Sequence, residues 1–295
     1  MKKRTDAMKH FLIYTNRHKD KNLATTARIE RYLRERGQRV TVRVREGDWK
    51  NRINESVQEL EELPEDADLM LVLGGDGTML QAVRETKKSS IPIIGVNLGT
   101  LGYMTEVEPA NLEEALERLI AGDYARECRM MLKGRISFGD GRREEDWALN
   151  DIVISRSGSL QIIRLNIYVN GQFLNRYNAD GVIITTPTGS SGYNLSAGGP
   201  LVEPGAKLIM LTPICPHTLN KGSIILSAED VIEIEIPKGR EEREQTVEAN
   251  FDGSHVVSLR TGDRIHIVKS DEFTEFIQLN KVSFVEVLHK KLSES

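Results

Sequence analysis

The chain is poor in cysteine, in long apolar runs and in charge of one sign. Cys128 and Cys215 are its two cysteines, and their separation matches no metal-binding spacing. A reducing cytoplasm is the expected home, and Cys128 reads as a small buried hydrophobe. No apolar stretch approaches the roughly 20 residues that span a bilayer. The opening Met1-Lys2-Lys3-Arg4 resembles the basic head of a signal peptide. The apolar run behind it, residues 11–14, is too short for the core of one. Forty basic residues against forty-four acidic ones leave a net charge of −4, which argues for neither nucleic acid nor a membrane as partner. There is no internal repeat and no low-complexity segment.

What is present is an ordinary globular composition, 39% hydrophobic and 28% charged, in a chain of 295 residues. That is length enough for two modest domains. The first is organised around Asp68-Leu69-Met70-Leu71-Val72-Leu73-Gly74-Gly75-Asp76-Gly77-Thr78-Met79-Leu80. An apolar run ends in a glycine-rich turn, and apolar residues at helical spacing follow. This is a strand, a tight loop and a helix. Gly74, Gly75 and Gly77 let a polyphosphate approach backbone amides, and the helix N-terminus adds free N–H groups. Thr78 belongs to the same phosphate loop. Asp76 is the anomaly, because a carboxylate repels phosphate. Holding a metal ion or taking a proton from an attacking hydroxyl would explain it. A plain turn with an N-cap explains it too. The loop lacks the lysine of the Walker A pattern and the third glycine of the dinucleotide fingerprint.

Strands at residues 10–14, 40–44, 69–73 and 92–96 alternate with helices at 21–37, 54–63 and 109–122. That alternation predicts a parallel sheet with helices on both faces. Ligands of such sheets sit beyond the strands' C-terminal ends, where residues 74–78 and 97–102 lie. From about residue 125 the pattern changes to short strands separated by turn signals, and helix becomes scarce. The expected architecture is an α/β domain with a parallel sheet, residues 1–124, and an all-β domain, residues 125–274. A last strand-like stretch at 281–288 is expected to return to the first domain, which then includes about 275–295. The run 238–244 of mixed charge reads as a solvated loop.

The β domain carries a second constellation. Asp180-Gly181 precedes a strand, and then comes Pro187-Thr188-Gly189-Ser190-Ser191-Gly192-Tyr193-Asn194-Leu195-Ser196-Ala197-Gly198-Gly199-Pro200. Hydroxyls, glycines and one aromatic at a strand end suit a nucleoside, with Tyr193 able to stack on a ring. Asn150-Asp151 is a polar pair among strand residues. Asn150 can pair with an adenine edge and Asp151 can accept from ribose hydroxyls, or the two form a bulge or turn. Ile214-Cys215-Pro216-His217 has too few ligands for zinc. Asp252-Gly253 is first of all a hairpin turn.

Taken together these residues resemble the NAD kinase family of the bacterial type. Gly74 to Thr78 reproduces the GGDGT signature. Asn150-Asp151 resembles the family's Asn-Glu pair, and the stretch from Thr186 to Pro200 resembles its TPTGSTAY…SAGGP element. Pro213 to His217 and Asp252-Gly253 follow in the family's order. The likeness runs from about Phe11 to Val287. GGDGT alone is shared with lipid kinases, so the second element is the more specific signal. A lipid kinase would need an apolar entry surface, and a non-catalytic nucleotide module would bind better without Asp76.

The resemblance implies an α/β domain and a C-terminal β-sandwich with the site between them. It implies transfer of the γ-phosphoryl group of ATP to the 2′-hydroxyl of NAD's adenosine ribose, with Mg²⁺ or Mn²⁺ as cofactor. It also implies a cytoplasmic homodimer or homotetramer. Asp76 takes the catalytic place, with Gly77 beside it, and is the one possible protein ligand to the metal. Asn150, Asp151 and Asp180 fall at dinucleotide-binding positions, as do Ser191, Gly192, Tyr193 and Ser196 around the adenosine, and Asp252 at the site. The chain departs from the family at Asp151, where Glu is usual, at Ser191-Gly192, where Thr-Ala is usual, and at Tyr103, where Phe is usual. Tyr103 is counted with the NAD-binding residues.

Overall fold

The computed structural model describes residues 8–45, 64, 66–86, 91–99, 102–158, 161–218, 221–280 and 284–293. The helix expected at 54–63 lies outside the described residues. The chain divides into two compact units, Met1–Cys128 with Thr274–Ser295, and Arg129–Phe273.

The first unit begins β1 (His10–Asn16), α1 (Ala24–Glu35), β2 (Arg39–Arg45), β3 (Leu69–Gly74), α2 (Asp76–Glu85), β4 (Ile93–Asn97), β5 (Thr105–Val107) and α3 (Leu112–Ile120). The strands run β4-β3-β1-β2, all parallel, with β5 beside β4. Every residue of β3 is buried, as a central strand covered on both faces must be. Helix α3 buries Leu112, Ala115, Leu116 and Leu119, one stripe at helical spacing. Helix α2 buries Thr78, Met79, Ala82 and Val83. Met79 is seated over Gly95 of β4, where a Cβ would lie 2.9 Å from its sulfur.

Beyond α3 the chain continues as β6 (Ala125–Ser137), β7 (Arg143–Ala148), β8 (Asp151–Arg156), β9 (Ile163–Val169), β10 (Gln172–Ala179), β11 (Gly181–Thr185), α4 (Tyr193–Ser196), β12 (Leu208–Ile214), β13 (Ile224–Ser227), β14 (Ile232–Glu235), β15 (Thr246–Phe251), β16 (His255–Arg260) and β17 (Arg264–Gln278). The second unit has two layers. One sheet is antiparallel in the order β13-β12-β11-β8-β15-β16, and the other contains β10-β9-β14-β17. Alternate residues from both layers, among them Ile152, Ile154, Ile184, Leu211, Ile167, Ile234 and Ile267, meet in one apolar core. The opposite face of the six-stranded sheet carries a smaller cluster of Val153, Ile183 and Ile214, covered by Ala197. That contact lays the 188–200 loop against the sheet.

Two expectations fail. Of the stretch expected as a strand at 281–288, residues 281–283 lie outside the described residues and 284–288 are not a strand, since α5 (Phe284–Ser293) is a helix. Val285 and Val287 alternate as in a strand, but the less exposed positions are Phe284, Val287, Leu288 and Lys291, the spacing of one helix face. Cys128 is exposed rather than buried. It lies on the strand face away from buried Arg129 and Met131, beside Arg126 and Glu275, which pair at 2.6 Å. Among the described residues no helix is long and apolar enough to cross a membrane.

Candidate active site

In the first unit the site residues gather where β3 turns into α2. Gly75 is the N-cap in extended conformation, and its carbonyl accepts from the Thr78 N–H (2.9 Å) and the Met79 N–H (3.1 Å). Gly74 allows the turn because a Cβ there would press on Thr78, 2.6 Å from its own Cβ. Thr78 is buried and Gly77 exposed. Asp76 stands in the first helical turn, where the helix dipole favours a negative charge. Its carboxylate is fixed from outside the helix. The Tyr103 N–H donates to Oδ2 at 2.8 Å and the Met104 N–H to Oδ1 at 3.0 Å. The chain reaches it at Gly102, where a Cβ would lie 2.7 Å from the Asp76 carboxyl carbon. A carboxylate has about four acceptor sites, so two amides orient Asp76 and leave lone pairs for a substrate proton or a cation. Tyr103 therefore contributes its backbone to the site. Its ring lies beneath Lys291, 4.4 Å from the ammonium nitrogen, and its hydroxyl is raised above the usual tyrosine range by burial and then by Asp76.

In the second unit the backbone of residues 149–151 is gripped from two sides. Asp252 opens a turn with φ of 51°, followed by Gly253 at 68°, the left-handed pair of a tight hairpin. From there its carboxylate accepts the N–H groups of Leu149 (2.7 Å), Asn150 (2.8 Å) and Asp151 (3.1 Å). On the other side the Thr186 hydroxyl donates to the Leu149 carbonyl at 2.6 Å. The Thr185 hydroxyl and the Thr186 N–H both donate to the Asn150 carbonyl at 2.9 Å. Asp252 is thus a positioning residue, and Thr185 and Thr186 share that task unforeseen by the sequence reading. The Asn150 side chain stands beside Gly192, where a Cβ would lie 3.6 Å from Nδ2. Its Oδ1 is buried and has no hydrogen-bond partner among the described residues.

Asp151 is 7% exposed, and burial together with the Asp252 charge pushes its carboxyl up to about 8. At neutral pH it is protonated and can donate a hydrogen bond as well as accept one. From the sequence alone Asp151 is only an acceptor. Asp180 pairs with Arg156 at 3.3 Å. Tyr193, 47% exposed, is raised above the usual tyrosine range by burial first, then by the charges of Cys215, Asp180 and Asp151. The loop that carries Tyr193 is anchored by Asn194, fully buried. Its amide donates to the carbonyls of Ser190 (3.1 Å) and Pro200 (3.0 Å) and accepts from the Thr212 hydroxyl (2.7 Å). Ser191 is half-buried before this short helix, and Ser196 ends it exposed. The second unit therefore brings together Asn150, Asp151, Asp180, Gly192, Tyr193 and Asp252, with Arg156 and Cys215 as additions. No group of three or more metal-ligating side chains is found among the described residues, Cys215 and His217 included.

Two outcomes follow from this geometry. Asp252→Ala removes three charge-assisted bonds, each worth ~1.5–3 kcal/mol. The variant should be less stable by roughly 3 kcal/mol or more in denaturant unfolding, and a loss under 1 kcal/mol would contradict the grip. For Asp151 the folded-state value lies above the ordinary one, so the folded chain holds an extra proton between about pH 4 and pH 8. Stability from this group is complete below that window and is lost as pH rises through it. The melting temperature of the wild type should fall more from pH 5 to pH 8 than that of Asp151→Asn, and parallel curves would refute the assignment.

Comparison with known proteins matches the chain to two family models. Residues 11–124 fit the ATP-NAD kinase N-terminal domain and residues 149–279 the ATP-NAD kinase C-terminal domain. An NAD kinase of Lachnospira eligens is 44% identical over 294 residues, covering 97% of this chain and 100% of that protein. One of Thiobacillus denitrificans is 35% identical, covering 91% of each. Among solved structures, an NAD kinase from Archaeoglobus fulgidus in complex with ATP superposes with a TM-score of 0.74 at 28% identity, covering 97% of this chain and 99% of that one. Yeast NADH kinase complexed with NADH gives 0.84 over 98% and 88% at 23% identity, which shows a shared fold. With relatives this similar along nearly its whole length, the chain belongs to the NAD kinase family.

Proposed function

We propose that the chain transfers the γ-phosphoryl group of ATP to the 2′-hydroxyl of the adenosine ribose of NAD, giving NADP. The observation that carries this reading is the Asp76 carboxylate, held by two backbone amides at the mouth of a glycine-rich loop. A loop that only bound phosphate would be better without that charge. In phosphoryl transfer the ribose oxygen attacks the γ-phosphorus, the bond to the bridging oxygen breaks, and ADP leaves. Asp76 takes the hydroxyl proton. The backbone amides at the start of α2 receive the phosphates.

The second group holds the dinucleotide. The unpartnered Asn150 Oδ1 suits an exocyclic amino group of adenine. Tyr193 supplies a ring to stack on the nucleoside, and protonated Asp151 can donate to a ribose oxygen. Ser191, Gly192 and Ser196 line the same nucleoside pocket, Asp180 stands beside the dinucleotide, and Asp252 acts through the backbone it grips.

The donor set fits a Mg²⁺ or Mn²⁺ ion held mainly by substrate phosphates. Among the described residues there is one carboxylate at the loop with free lone pairs and no all-protein cage, which is how Mg²⁺ usually sits in phosphotransferases. Asp76 would be its protein ligand, and when bound the ion offsets charge on the phosphates. The functional form is a homodimer or homotetramer in the cytoplasm. The edge strands β10 and β13 support assembly, since they expose Phe173 and Ile225, each 57% accessible.

The test is incubation with ATP, Mg²⁺ and NAD, reading NADP with an NADP-specific dehydrogenase. NADP should accumulate, and a chain that makes none has another acceptor. Asp76→Asn keeps the shape and removes the basicity, so kcat should fall by at least ~10² while NAD still binds. Near-normal kcat with weaker binding would make Asp76 a turn residue. Recovery of rate with excess Mn²⁺ would favour the metal role over the base.

A further inference from the structure

Asp252 holds residues 149–151 from the tip of the β15–β16 hairpin, and the tip must itself be aimed. Phe251 and His255 are the cross-strand partners that close it, with their rings 5.9 Å apart. Phe251 is fully buried in the apolar core, which fixes one leg of the hairpin. The other leg starts at His255, whose side chain reaches β7. Its Nδ1 lies 2.7 Å from Oδ2 of Asp146, and with a carboxylate as acceptor Nδ1 carries the proton. Its Nε2 lies 3.6 Å from Oε1 of Glu144.

Asp146 is 4% exposed, and a carboxylate so buried is costly without a donor. It stands just before Ala148, where β7 ends and the chain passes into the segment that Asp252 grips. One hairpin tip therefore holds residues 146–151 at both ends. His255 holds Asp146, and the Asp252 carboxylate holds the amides of Leu149, Asn150 and Asp151. The Asp252 N–H adds a bond to the Asp151 carbonyl at 3.1 Å. No signal in the sequence pairs His255 with Asp146. They stand 109 residues apart, and Asp146 closes an ordinary acidic run, Glu144-Glu145-Asp146.

We propose that His255 is a positioning residue for the dinucleotide: by holding Asp146 it aims the Asp252 carboxylate at the amides of residues 149–151, and so presets Asn150 and Asp151 for NAD. The ligand in this assignment rests on the NAD kinase reading. Without His255 the tip is free to turn, and residues 149–151 are gripped for only part of the time. NAD that binds the gripped form then binds more weakly by that fraction, and saturating NAD restores the grip. The loss falls on NAD affinity and not on the turnover of the saturated enzyme.

The experiment uses the full chain with three variants. His255→Ala removes the ring, His255→Phe keeps a ring against Phe251 and loses the donor, and His255→Asn keeps a donor near the Nδ1 position. NAD affinity is measured by calorimetry, kcat and KM by turnover, and amide exchange by NMR. The alanine and phenylalanine variants should bind NAD roughly tenfold more weakly, with kcat at saturating NAD and the KM for ATP unchanged. The asparagine variant should recover most of the loss. In the alanine and phenylalanine variants the amides of Leu149, Asn150 and Asp151 should exchange faster, while those of β11 keep their protection. If the alanine variant does not fold, the phenylalanine variant carries the test. Wild-type NAD affinity in a variant that only melts earlier would overturn the proposal, as would a fall confined to kcat. A wild type that binds NAD and makes no NADP, with affinity lost in His255→Phe, would sink the kinase reading and keep the positioning role. A wild type that does not bind NAD would overturn both.

Discussion

Everything chemical in the first unit depends on how one carboxylate is held. Asp76 sits where phosphates must come, so its charge is tolerable only if it is stabilised without them. The first turn of α2 supplies part of that stabilisation, and the N–H groups of Tyr103 and Met104 supply the rest. Neither amide can reach Asp76 unless the chain passes it at Gly102 without a Cβ. The parallel sheet serves this contact. β3 delivers the loop, the end of β4 is tied to it by the Leu98 N–H to the Gly74 carbonyl, and residues 102–104 meet it at Asp76.

The second unit solves a different problem with the same kind of group. Asp252 accepts from three amides, and in doing so it fixes the backbone of residues 149–151. Asp151, on that backbone, is buried beside this carboxylate and therefore keeps its proton near neutrality. Of these two neighbouring carboxyls it is Asp151 that is raised, by desolvation first and then by Asp252. Asp252 shapes the pocket, and Asp151 gains a donor that an ionised aspartate lacks.

The parallel sheet was legible because β3 is an unbroken apolar run and the glycines after it punctuate the turn. The face of α3 was legible from spacing alone. Contacts spanning a hundred residues were not. Nothing local to Asp252 tells that it grips Leu149, Asn150 and Asp151, and its left-handed backbone reads only as a hairpin turn. Strand β10 carries little apolar pattern of its own, because Phe173 and Leu174 face solvent and only Tyr177 and Ala179 are buried. Helix α5 was mistaken for a strand because β-branched residues carry β propensity while the packing of one face decides the outcome. Asp151 could be placed near the site from its position in the chain. Its protonation depends on burial and on Asp252, and neither is local.

The central claim is that the position of Asp76, and not its presence alone, makes the loop catalytic. Gly102→Ala tests it most directly, because the added methyl group displaces the Asp76 carboxylate while the sequence of the Gly74 to Thr78 loop is unchanged. Single-turnover phosphorylation of NAD at saturating ATP should slow by about ten-fold or more, with NAD affinity unchanged, as expected when a general base is misplaced. A single-turnover rate equal to that of the wild type would contradict the account.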